Sequence, residues 1–193
     1  MPTTDGTGLI GRHRETALLR SAVHDVLSGA GGGTAILLRG EASIGKTVLL
    51  DWVRTEARRR GCTTLRAVGC ETEEGQAFGA LHQVLGPLME RPSPAVSRHR
   101  REALESALGL RDAQPQSSFM IGAAALALLA EASRIRPVVL LLDDVQWIDT
   151  SSAAVFSFLC RRLAGLPMVI VSAGRPGARR PMAGRRGSWR SRS

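Results

Sequence analysis

Residues 34–50, TAILLRGEASIGKTVLL, pass from a short apolar strand through a glycine-rich turn into a helix. No other stretch constrains the chain as much, because a strand that feeds a helix through so tight a loop belongs to a layered α/β fold. Within it, Gly40–Thr47 (GEASIGKT) satisfies G-x-x-x-x-G-K-[S/T]. The backbone N–H groups of Gly40, Glu41, Ala42, Ser43, Ile44 and Gly45, with the positive end of the following helix, make a nest for an anion. The glycines let the backbone approach phosphate closely. Lys46 is the only lysine; the other 25 of the 26 Lys+Arg positions are arginine. A compact ammonium on a flexible stem fits between the β- and γ-phosphates, where a planar guanidinium does not. Thr47 adds a hydroxyl for a metal ion. Ser43 stands where many such loops carry another glycine.

The rest of the chain alternates strands and helices. LIGRHRETALLRSAVHDVLSG predicts a helix after Gly11, with Leu19, Val23, Val26 and Leu27 on one face. Lys46 to Arg60 reads as a helix ended by Gly61, and TTLRAVGC as a second strand. AFGALHQVLGPLME and AVSRHRREALESALGL read as two helices, and Ser117 or Ser118 caps a third that ends near Arg134. PVVLLLDD is a strand, residues 151–164 a helix, and PMVIVSAG a last strand. The later strands are continuous apolar runs, the pattern of a parallel sheet buried on both faces. The expectation is an α/β three-layer sandwich over residues 1–176, then a disordered basic tail over 177–193.

The net charge of +9 raises the question of nucleic acid, so its location matters. From Arg175 onward there are seven arginines and no acid, which leaves the preceding body at +2. Any DNA contact is therefore expected to come from the tail, without sequence specificity. Cys62, Cys70 and Cys160 are odd in number and form no CxxC, consistent with buried, reduced thiols in a cytoplasmic protein. His13, His24, His82 and His99 share no metal-ligand spacing. The longest apolar run, MIGAAALALLA (residues 120–130), is about half the ~20 residues of a membrane span and reads as a buried helix, so no membrane partner is expected.

A second chemical element follows the strand VVLLL, which delivers Asp143 and Asp144 at its C-terminal end, where open α/β sheets place their ligands. Asp143 would hold Mg²⁺ together with Thr47, and Asp144 would orient a water toward a γ-phosphate. Arg175, just past the last strand, is either a γ-phosphate sensor or the first solvated base of the tail. Arg12 either lies over the base and ribose or simply starts a surface helix. Lys46, Asp144 and Arg175 are the candidate catalytic residues.

LIGRHRE, LLRGEASIGKT, AFGALHQVLGPL and LLLDDVQWIDTSS together resemble the nucleotide-binding domain of large actinobacterial LuxR-type transcriptional regulators, over about residues 8–176. These are signal-transduction ATPases with numerous domains (STAND), within the AAA-like P-loop NTPases. The resemblance implies ATP or ADP with Mg²⁺ as ligands, slow turnover of ATP to ADP and phosphate, and self-association through the ATPase domain. It implies sensor repeats and a helix-turn-helix further on. It also implies a sheet in which the last strand lies between the phosphate-loop strand and the DD strand. A fifth strand would flank the phosphate-loop strand on its other side, followed by a helical lid. About four strands are expected here, with the fifth strand and lid missing and the phosphate-loop strand left as an open edge. A truncated gene, a frameshift or a degraded copy would each account for the tail. Two other functions stay open: a stand-alone P-loop NTPase or kinase, and an origin-recognition-like DNA-binding ATPase. The first would need an acceptor pocket with lid arginines, the second a winged helix or basic insertion.

Overall fold

The computed structural model describes residues 12–29, 32–41, 45–90, 96–111, 117–176 and 188–190. In chain order the elements are α1 (His13–Leu27), β1 (Thr34–Arg39), α2 (Lys46–Arg59), β2 (Thr63–Val68), α3 (Gly79–Met89), α4 (Arg98–Ala107), α5 (Ser118–Ile135), β3 (Val138–Asp143), α6 (Thr150–Cys160), β4 (Met168–Gly174) and β5 (Ser188–Arg190). Short 3-10 turns at Glu71–Glu73 and Val145–Trp147 complete the set; the sequence reading did not anticipate them.

The strands form one sheet in the order β2-β3-β4-β1-β5, every pair parallel. Every residue of β3 and β4 is buried, as continuous apolar runs require of central parallel strands. Side-chain alternation splits the core in two. Ile36, Leu38, Val139, Leu141, Val169 and Val171 pack with α1 and α2 on one face. Leu65, Ala67, Leu140, Leu142 and Ile170 pack with α3 to α6 on the other. The three-layer α/β expectation is met, and β4 lies between β1 and β3 as expected.

One expectation is corrected at the edge. Ser188–Arg190, from the tail assigned to disorder, pairs in parallel with Leu37–Arg39. A bare edge strand presents a row of unpaired N–H and C=O groups, and an extended segment of the same chain satisfies them. β1 is therefore not an open edge along Leu37–Arg39; residues 177–187 and 191–193 lie outside the described residues.

Smaller differences have local causes. α6 stops at Cys160 rather than 164: the Arg162 N–H takes the Leu159 carbonyl (2.8 Å) in a tighter i−3 bond, which closes the last turn. α5 is longer than its apolar run. By length and composition its 18 residues could cross a membrane, yet Ile121, Ala124, Ala125, Leu128 and Leu129 are core residues. Cys62 and Cys160 are buried as expected, and burial pushes the Cys160 thiol up to about 12. Cys70 is exposed, because it follows Gly69 out of the sheet instead of continuing β2.

Candidate nucleotide site

Because all strands are parallel, the C-terminal ends of β1, β3 and β4 open on one side of the sheet, the usual ligand side. Gly45 takes φ 83°, a left-handed turn that glycine adopts without steric cost, and α2 starts at the next residue. No acidic residue lies in the first turn of α2 to oppose an anion at its positive end. Lys46 is buried, and its Nζ donates to the Gly40 carbonyl (2.8 Å) and the Glu41 carbonyl (2.6 Å). The ammonium thus spans the mouth of the loop from the helix side. Gly40 N–H reaches back to the Gly174 carbonyl (3.3 Å), which ties the loop to the end of β4. Thr47 is exposed in the first helical turn. Ala42, Ser43 and Ile44 lie outside the described residues.

Asp143 closes β3 and is almost wholly buried. Its Oδ1 accepts the Asp144 N–H (3.0 Å), and its Oδ2 accepts from Arg66 Nη2 (3.1 Å). Asp144 adopts a left-handed φ of 46°, which turns the chain sharply into the Val145–Trp147 turn. Gln146 Nε2 donates to Asp144 Oδ1 (2.9 Å), while Gln146 Oε1 accepts the Arg175 N–H (3.2 Å). One side chain therefore links the second carboxylate to the residue after β4. The Arg175 residue itself is exposed. Arg12 stands at the start of α1, paired with Glu15 (3.3 Å).

The acidic turn is seated against β2. A Cβ built on Gly69 would lie 2.3 Å from the Asp144 carbonyl oxygen and 2.8 Å from Ile148 N, both backbone atoms. Gly69→Ala is expected to cost about 1–3 kcal/mol and to displace Asp144, since backbone on both sides must move. Urea denaturation checks it; an unchanged midpoint means that the turn does not depend on this close approach.

Three residues that sequence reasoning missed complete the arrangement. Asp149, 3% exposed, accepts N–H bonds from Phe78 (2.9 Å), Ala80 (3.2 Å) and Ser152 (2.8 Å). It caps α6 and also holds the start of α3, while Ser152 Oγ accepts the Leu81 N–H (2.8 Å). An acid just before an apolar helix is a capping signal, so half of this role was readable. The third is Arg66, a base within the strand TTLRAV, whose guanidinium joins Asp143 to Asp51 of α2 (2.9 Å).

The donor set fits Mg²⁺ with a phosphate ligand. A hydroxyl and a buried carboxylate are hard oxygen ligands, and a buried ammonium lies beside a helix N-terminus clear of acids.

A parallel sheet in this order, with a glycine loop leading into α2 and carboxylates ending β3, defines a P-loop NTPase fold. The chain belongs to the AAA ATPase domain family, whose profile matches residues 8–171. An AAA ATPase domain implies a nucleotide ligand, usually with Mg²⁺. An uncharacterised protein of Rhizobium meliloti (strain 1021) is 27% identical over 198 residues, covering 89% of this chain and 19% of the relative. The chain thus spans about a fifth of that relative's length. Among solved structures, the Aeropyrum pernix ORC2 protein in ADPNP–ADP complexes is similar with a TM-score of 0.49 and 17% identity, over 86% of this chain and 41% of that one. Drosophila ORC bound to AT-rich DNA and Cdc6 gives 0.38 and 15%, over 92% and 54%.

Proposed function

We propose that this chain is an ATP/ADP-binding switch domain with slow hydrolysis, serving as the regulatory ATPase of a LuxR-type transcriptional regulator. The observation that carries the reading is that both carboxylates at the end of β3 are engaged by neighbours, Asp143 by Arg66 and Asp144 by Gln146. Asp144 must loosen its bond to the Gln146 amide each time it takes up a water, which slows turnover and suits retention of nucleotide over rapid consumption. The regulator role rests on the likeness of the AFGALHQVLGPL and DDVQWID segments to that family.

In this reading the loop N–H groups and Lys46 bind the β- and γ-phosphates, and Thr47 and Asp143 hold the cation. Bound Mg²⁺ would neutralise charge on the phosphate oxygens. Asp144 orients the attacking water, and Gln146 transmits its position to Arg175 through the backbone of the segment after β4. The exposed arginine side chain is free to turn toward the γ-phosphate edge. Self-association through the ATPase body belongs to the same proposal, as does a cytoplasmic location.

The test is a pair of measurements on the wild-type chain and Asp144→Asn. Wild-type turnover is expected below the usual enzyme range of about 1–10³ s⁻¹. Asp144→Asn is expected to bind ATP within about threefold of wild type while hydrolysis falls at least tenfold further. Turnover within the usual range would sink the switch reading in favour of a working enzyme.

A further inference from the structure

We propose that Arg66 competes with the divalent cation for Asp143, so that loading of Mg·nucleotide requires its guanidinium to give up Asp143 and rest on Asp51. This rests on the nucleotide-binding reading above. The guanidinium is shared between two acids of different character. Nη2 lies 3.1 Å from Oδ2 of Asp143, whose side chain is 4% exposed. Nη1 lies 2.9 Å from Oδ1 of Asp51, which is 44% exposed and also meets Arg54 at 3.4 Å. Asp51 lies one helical turn beyond Thr47 on α2, and Arg66 reaches both acids from β2, across the sheet face that α2 covers.

Asp143 has two oxygens, and both are in use. Oδ1 accepts the Asp144 N–H and Oδ2 accepts Arg66. A cation held between Thr47 and Asp143 must share Oδ2 with the guanidinium or Oδ1 with a backbone hydrogen bond, and sharing an oxygen weakens both partners. The guanidinium is the easier group to move, since it already has a second acid to rest on. A divalent ion and a guanidinium on one carboxylate also repel each other at short range. The Arg66 Nε is buried without a hydrogen-bond partner among the described residues, so the side chain is held mainly through its two terminal nitrogens. Arg66 is thus a positioning residue: it keeps the buried acid paired and sets how much cation is needed to claim it.

The experiment is a Mg²⁺ titration of binding of a fluorescent ADP analogue, with parallel measurements in EDTA, for wild type, Arg66→Gln and Asp51→Asn. Arg66→Gln removes the competitor and is expected to lower the Mg²⁺ concentration at half-saturation by roughly 3- to 10-fold, the worth of one partly buried charge-assisted bond. Asp51→Asn removes the alternative resting place and is expected to raise it about twofold. That variant changes an exposed side chain and keeps the fold testable if Arg66→Gln is unstable. A purely structural Arg66 would leave both midpoints where they were, and shifts of the same sign in both variants also overturn the proposal. If wild type binds the analogue neither with Mg²⁺ nor in EDTA, the nucleotide reading itself fails and the competition falls with it. Binding with unmoved midpoints removes the competition alone.

Discussion

Lys46→Ala is expected to weaken nucleotide binding by at least about 100-fold, equivalent to about 3 kcal/mol. Two losses combine. The phosphates lose a charge-assisted donor in a site where the ammonium is nearly enclosed. The Gly40 and Glu41 carbonyls also lose the group that holds the loop entrance to α2. Lys46→Arg separates charge from shape. If bulk positive charge were enough, arginine would restore binding; if a point-like ammonium is needed, it stays within about tenfold of the alanine variant. Titration with a fluorescent nucleotide reads both. Equal affinity of wild type and Lys46→Ala would place the site elsewhere.

Asp149→Ala is expected to destabilise the fold by about 3–5 kcal/mol, the largest loss foreseen for any single polar side chain here. Its carboxylate receives N–H groups from the starts of two helices, α3 and α6; those of Ala80 and Ser152 are buried and that of Phe78 is half-buried. Alanine leaves two buried donors and one half-buried donor without their acceptor. Asp149→Asn keeps one oxygen, enough for Phe78 and Ser152, but turns an amide NH₂ toward the Ala80 N–H, so a loss of about 1–3 kcal/mol is expected. Urea denaturation at constant slope measures both. A loss below about 1 kcal/mol for the alanine variant would mean that the α3 start finds other partners.

These two residues mark what could be read in advance. Lys46 was legible because the loop chemistry is local: eight consecutive residues carry the geometry, and composition alone makes the lysine conspicuous. The strands were legible because burial on both faces leaves unbroken apolar runs. The partners of the carboxylates were not. Arg66 precedes Asp143 by 77 residues, and a lone arginine in an apolar strand does not announce what it pairs with. The two segments that carried the family likeness turn out to touch: Asp149 and Ser152 of DTSS receive the N–H groups of Phe78, Ala80 and Leu81 in AFGAL. A hydrogen bond across 71 residues leaves no periodicity to find. The pairing of β5 escaped for the same reason, since three residues in a basic tail show no pattern and their partner strand supplies the order.

The strand order also sets a schedule. Among the described strands β1 is made first, yet its neighbours in the sheet, β4 and β5, are made last. About 150 residues separate Leu37 from Ser188, so at ribosomal rates of ~5–20 residues per second the outer edge of β1 waits roughly 8–30 s for its partner. β2 and β3 can pair first, across an intervening stretch that forms α3, α4 and α5, and their sheet then grows toward β1 through β4. Of the five strands described, the one that carries the phosphate loop is thus translated first and enclosed last. During that interval its apolar residues depend on α1 and α2 for cover, which makes the nascent chain the form most exposed to chaperones and to mispairing.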